Sequence, residues 1–153
     1  MPPLTESDIE RYAIRELEKL GYSHSYGPDI APEGTRAERS SYDQVVLTQK
    51  LQRAISRINP NIPANAIANA RKQVLRLTDP NPLTANKTFH NMLTEGIKVS
   101  YRKDGNPRGD IIKLIDFDAI DNNEFDVVNQ FKNSNPNRVM YLKPSRIAKI
   151  LYS

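Results

Sequence analysis

The chain has no cysteine, no apolar run that approaches the roughly 20 residues needed to span a bilayer, and no charge of one dominant sign. The first absence excludes disulfides and thiolate metal sites, and with them any argument for an oxidising compartment. The second removes the membrane as a partner. Residues Met1 to Glu6 carry no basic stretch ahead of an apolar one, so they do not form a secretory signal. A cytoplasmic protein is the expectation. Its 153 residues suffice for one domain with one core. A chain of this size buries roughly 70% of its unfolded surface and needs no staple.

The net charge of +4 conceals a pattern. Residues 1–50 hold 6 basic and 9 acidic side chains, and residues 51–110 hold 10 and 4. Residues 111–131 reverse the balance with 1 basic and 5 acidic, and residues 132–153 carry 5 basic and none acidic. Basic surface suits a phosphate backbone through counterion release, although mixed solvated surface explains any single segment as well.

Helical spacing opens the chain. Thr5 and Asp8 form a capping-box pair, acidic residues crowd the first turn, and Ile9, Tyr12, Ala13, Leu17 and Leu20 are predicted to face inward before Gly21. Residues 23–40 read as a loop. A second helix is predicted from about Ser41 to Ile58, a third from Ala64 to Leu77, and a fourth through Phe89, Met92 and Leu93, capped by Thr84 or Asn86 and stopped at Gly96. Ile97, Val99 and Tyr101 then alternate with polar residues as a strand does. Asp104 to Gly109 reads as a turn and Ile111 to Phe117 as the returning strand of an antiparallel hairpin. Phe125 to Phe131 reads as a third strand. In the tail, Val139 to Leu142 is expected to pair with the open edge of that strand, with Ser145 to Leu151 helical. The class is α+β.

Several spaced blocks carry a family resemblance: Leu17-Glu18-Lys19-Leu20-Gly21-Tyr22, Arg39-Ser40-Ser41-Tyr42, Phe89-His90-Asn91-Met92-Leu93-Thr94-Glu95-Gly96, Leu114-Ile115-Asp116-Phe117-Asp118 and Asn122 through Phe131. In order and spacing they resemble the N-terminal region of the restriction (R) subunit of type I restriction–modification enzymes. The resemblance covers residues 4 to 131 and implies helices, a hairpin and the first strand of a PD-(D/E)xK-like nuclease sheet, followed by a divergent basic tail over 132–153. It also implies a larger protein that joins this nuclease to a helicase-like ATPase, uses Mg²⁺ and ATP, and works on DNA with modification and specificity subunits.

The chemistry of such a nuclease rests on hard carboxylate oxygens that hold a divalent metal, with a lysine assisting the attacking water. No Glu-x-Lys or Asp-x-Lys occurs in the chain, nor does a phosphate-binding G-x-x-x-x-G-K-[ST]. The expectation is therefore a fragment that ends before its nuclease motif. Glu10 matches the extra acid that several nucleases of this fold carry on their first helix, or serves only the helix dipole. Asp116 and Asp118, one strand face apart by two, are candidate metal ligands, or Asp116 shapes a turn with Asn122 and Asn123. His90 reads as a packed or capping residue. Arg71, Lys72 and Arg76 on one helix, with Arg102, Lys103 and Arg108 around the hairpin turn, are candidate phosphate contacts or an interface with other subunits. A non-enzymatic DNA- or subunit-binding module and a nuclease with a rearranged carboxylate site are the competing classes.

Overall fold

The computed structural model describes residues 5–76 and 81–134. They form two compact units, one of residues 5–47 and 124–134, the other of residues 48–76 and 81–123. The predicted tail strand at Val139 to Leu142 and the helical turn at Ser145 to Leu151 lie outside the described residues.

The first unit opens with α1, Glu6–Lys19. The predicted capping box is present: the Thr5 hydroxyl accepts from the Asp8 amide at 3.2 Å, and the Asp8 carboxylate accepts from the Thr5 amide at 3.1 Å. The helix stops in a Schellman arrangement. Gly21 takes φ +93°, its N–H reaches the Glu18 carbonyl, and the Tyr22 N–H reaches that of Leu17. The inward face differs from the expectation by one position. Ile14 is the buried residue, while Ile9, Tyr12 and Leu20 are exposed.

The segment read as a loop contains a strand, β1, Ser23–Tyr26. It pairs in parallel with β4, Asp126–Asn129, in the register Ser23 to Asp126 through Tyr26 to Asn129. β1 has no apolar alternation to announce it. Its pairing partner imposes the conformation, and all four β4 residues are buried. Ile30, Leu47 and Val128 make a small core, with Phe131 packed against it. Leu47 belongs to this core, which is one reason the second helix does not begin at Ser41. The other is local: the Ser40 amide and hydroxyl both donate to the Gln44 side-chain carbonyl, an alternative to helical bonding.

In the second unit, α2 covers Thr48–Ile58, α3 Ala64–Leu75 and α4 Pro82–Glu95. Leu51, Ala54, Ile55 and Ile58 are buried on α2, and Ala66, Ile67, Ala70 and Val74 on α3. The two helices pack on one another, and α3 packs on β2, Ile97–Lys103. Asn81 caps α4 in place of Thr84 or Asn86, accepting from the Leu83 amide at 3.0 Å. Gly96 ends it at φ +77°, where a Cβ would stand 2.6 Å from an Ile111 methyl. β2 pairs antiparallel with β3, Asn106–Ile112. The turn is tighter than expected: only Asp104 and Gly105, both left-handed, connect the strands. β3 also ends at Ile112, so Asp116 and Asp118 stand beyond it, on no strand. The predicted α+β class holds.

Buried Asn59 joins α2 to the end of the hairpin. Its Nδ2 donates to the Ile55 and Lys113 carbonyls, both at 2.8 Å, and its Oδ1 accepts from the Lys113 amide at 2.9 Å. One side chain thus supplies what a neighbouring strand would. Replacing Asn59 by Ala strands both backbone groups of Lys113 and should cost roughly 2–4 kcal/mol. Urea unfolding checks this, and a loss below about 0.5 kcal/mol would show that water serves the same groups.

Candidate functional site

The two ends of β4 organise the first unit's polar groups. His24 Nε2 lies 2.8 Å from Asn129 Oδ1. Past Asn129 the chain turns sharply, because Gln130 adopts φ +54°, a left-handed conformation uncommon outside glycine. Its amide donates to both Glu10 oxygens at 3.1 and 3.2 Å. Glu10, beyond the first turn that Glu6 and Asp8 occupy, therefore faces the end of the strand.

Beyond Gln130, Phe131 lies over the guanidinium of Arg39, ring centroid to Cζ 3.9 Å, and Tyr42 flanks the same group at 5.2 Å. Arg39 is only 4% exposed. Burial holds its guanidinium below its ordinary pKa, with the neighbouring Tyr42 and Glu33 acting in the opposite direction. The Tyr42 hydroxyl donates to Glu33 at 2.7 Å, which raises the phenol above its usual value. Arg39 entered the sequence reading only as part of a family block. The signal that could have flagged it is an arginine three residues before a tyrosine, in a loop with few other cations.

The candidate phosphate contacts lie in the second unit. Lys72 on α3 and Arg76 at its C-cap are exposed, while Arg71 is half-buried at the edge of the buried stripe, four residues after Ile67, with its Nε buried. The hairpin cations flank the Asp104-Gly105 turn on both faces of the ribbon. Arg108 pairs with Tyr101 and Lys103 with Asn106, so these two share a face. Arg102 pairs with Pro107 and points to the other. Tyr101 donates to Asp110 at 2.5 Å on the Arg108 side. His90 is exposed on α4 rather than packed.

Asp116 is committed to its own loop. Its Oδ1 accepts from the Asp118 and Ala119 backbone amides, each at 3.1 Å, and its Oδ2 from the Asn122 side-chain Nδ2 at 2.8 Å. Asn123 answers from the far side, accepting from the Asp116 amide at 2.9 Å and donating to its carbonyl at 2.8 Å. The bond from Asn122 and those from the two backbone amides hold the carboxyl below its ordinary pKa. Asp118 pairs with Lys113 at 2.6 Å. Among the described residues no three His, Cys, Asp or Glu side chains converge as a metal site. Both Asp116 oxygens are engaged by donors of its own loop, while one oxygen of exposed Asp118 holds Lys113.

These features define a pair of mixed α+β units. Residues 3–141 match the family model described as the N terminus of the type I restriction enzyme R protein. The match runs through Tyr141, into the stretch expected to diverge after Phe131. The chain is 36% identical over 124 residues to the putative type I restriction enzyme MjaIXP endonuclease subunit of Methanocaldococcus jannaschii. It is 30% identical over 129 residues to the type I restriction enzyme HindI endonuclease subunit of Haemophilus influenzae. The alignments cover 81% and 84% of this chain and 12% of each relative. No solved structure matches it. The chain belongs to the family of type I restriction enzyme R protein N termini.

The Asp116 network makes a pH prediction. A carboxyl whose folded pKa is depressed contributes stability above its unfolded value, lost as pH falls through the folded one. Asp116→Asn should therefore destabilise the protein at neutral pH. The gap to wild type should close only below the ordinary carboxyl value of 3.8. Thermal unfolding of both proteins across pH checks it, and a gap independent of pH would assign the effect to shape rather than charge.

Proposed function

We propose that this chain forms the N-terminal part of the endonuclease region of a type I restriction R subunit, that it contacts DNA through the phosphate backbone, and that alone it does not cut. The family match over residues 3–141 carries the reading. Inactivity is supported by the engagement of Asp116 and Asp118 and by the lack of any acid-x-Lys sequence in the 153 residues. In the larger protein, Mg²⁺, ATP and the modification and specificity subunits complete the activity in the cytoplasm. Glu10, tied to Gln130 at the end of β4, is the acid of this chain best placed to join a site built with further residues.

DNA contact falls to Lys72 and Arg76 with Arg71 on α3, and to Lys103, Arg108 and Arg102 on the hairpin. The one aromatic among them, Tyr101 beside Arg108, is tied to Asp110, so the binding is electrostatic and blind to sequence. Two measurements test the reading. Pure protein incubated with supercoiled plasmid and Mg²⁺ or Mn²⁺ should leave the plasmid intact. Metal-dependent nicking lost in Asp116→Ala would overturn the fragment reading.

Duplex affinity should fall steeply with salt. Replacing Arg71, Lys72 and Arg76 together by Gln should weaken it equally on unrelated sequences and lower the salt slope by up to about 1 per contact removed. Binding by the triple variant equal to wild type would move these residues to a subunit interface or to solvent.

A further inference from the structure

Arg39 presents a chemical imbalance. A guanidinium has five N–H donors in a planar fork and no acceptor. Here Nε, Nη1 and Nη2 are all buried, and no acceptor among the described residues reaches any of them. Stacking against Phe131 and Tyr42 stabilises the cation by up to about 2 kcal/mol, but a ring on the face of the group leaves its in-plane donors unsatisfied. A buried charge is retained when it is paired. Glu33, whose charge acts on Arg39, accepts from the Tyr42 hydroxyl instead.

The surroundings complete a receptor for an anion. Arg39 lines a cleft of about 140 Å³ together with Lys132, Gln130, Glu33, Gly27 and Gly34. A water's share of the liquid is about 30 Å³, so the space admits a tetrahedral oxyanion. Gly27 lets the wall close, since a Cβ there would stand 2.5 Å from the Gln130 carbonyl oxygen. The segment that brings in Phe131 and Lys132 is anchored: Ser134 bonds to the Asp43 carboxylate through its hydroxyl and to the Tyr42 carbonyl through its amide. The aromatic rings fix the plane of the fork, and a fixed fork is the geometry that binds two oxygens at once.

We propose that the Arg39 cleft is a binding site for a phosphate group, with the Arg39 fork as the bidentate donor and Lys132 as the second cation. Two cations against one engaged carboxylate favour phosphate over the single charge of a carboxylate ligand. Inorganic phosphate and a phosphodiester of a nucleic acid offer the same chemistry. The proposal does not depend on the DNA contacts of the second unit, since its first test contains no DNA.

Thermal unfolding of the full chain is followed against inorganic phosphate, with sodium chloride at matched ionic strength. Wild type should show a saturable rise in Tm that chloride does not reproduce. Lys132→Gln should weaken the phosphate affinity about tenfold, as loss of one charge-assisted contact does. Arg39→Lys should abolish the saturable part. Should that variant fail to fold, Lys132→Gln and ³¹P line broadening in wild type decide alone. A wild-type response no larger than that to chloride, equal responses of wild type and Lys132→Gln, or an acetate response equal to that of phosphate would each overturn the site. A short duplex then identifies the source. Its displacement by phosphate from wild type, weakened in Lys132→Gln, assigns a nucleic-acid phosphodiester, and phosphate binding without displacement assigns the free anion.

Discussion

The parallel pairing of β1 with β4 is the constraint on which the first unit depends. It joins residues a hundred positions apart in sequence, from Ser23 against Asp126 to Tyr26 against Asn129. Parallel strands cannot be joined by a tight turn, and the connection here carries the entire second unit. Bonds beyond each end lengthen the ladder, from the Ser23 amide to the Phe125 carbonyl and from the Gly27 amide to that of Asn129. Because β4 is buried along its whole length, its exit is determined as well. Gln130 absorbs the turn in a left-handed conformation, and the next residue lands over Arg39. Strain of this kind persists where surrounding structure over-determines it, here through the Gln130 bonds to Glu10.

The second unit is held at its irregular places by single polar side chains. Asn59 serves the Lys113 backbone where the hairpin has ended, and Asp116 organises the loop that follows, with Asn122 and Asn123 returning the bonds. Arg57 adds a bond from α2 to the Asn122 carbonyl at 2.9 Å. Each serves backbone groups that would otherwise be left without partners, and a stranded buried donor costs more than a formed bond contributes.

The chemistry is therefore asymmetric. Asp116, Asp118, Glu10 and Glu33 are bonded within loops or to neighbouring side chains, while the guanidinium nitrogens of Arg39 are buried with no acceptor among the described residues. The chain spans 12% of the endonuclease subunits it matches.

Local sequence alone determined the capping box at Thr5, the glycine stop after α1, the apolar stripes of α2 and α3, and the hairpin about Asp104 and Gly105. These depend on residues within a few positions of each other, where propensity and spacing act directly. The spaced blocks also sufficed for the family. Tertiary structure decided the rest. β1, polar and mostly exposed, is a strand only because β4 is beside it. The start of α2 was displaced by the use of Leu47 in another core. The burial of Arg39 arises from a ring ninety-two positions later in the chain, brought there by β-pairing. No window of sequence contains both partners, so their meeting became visible only when the ladder placed them together.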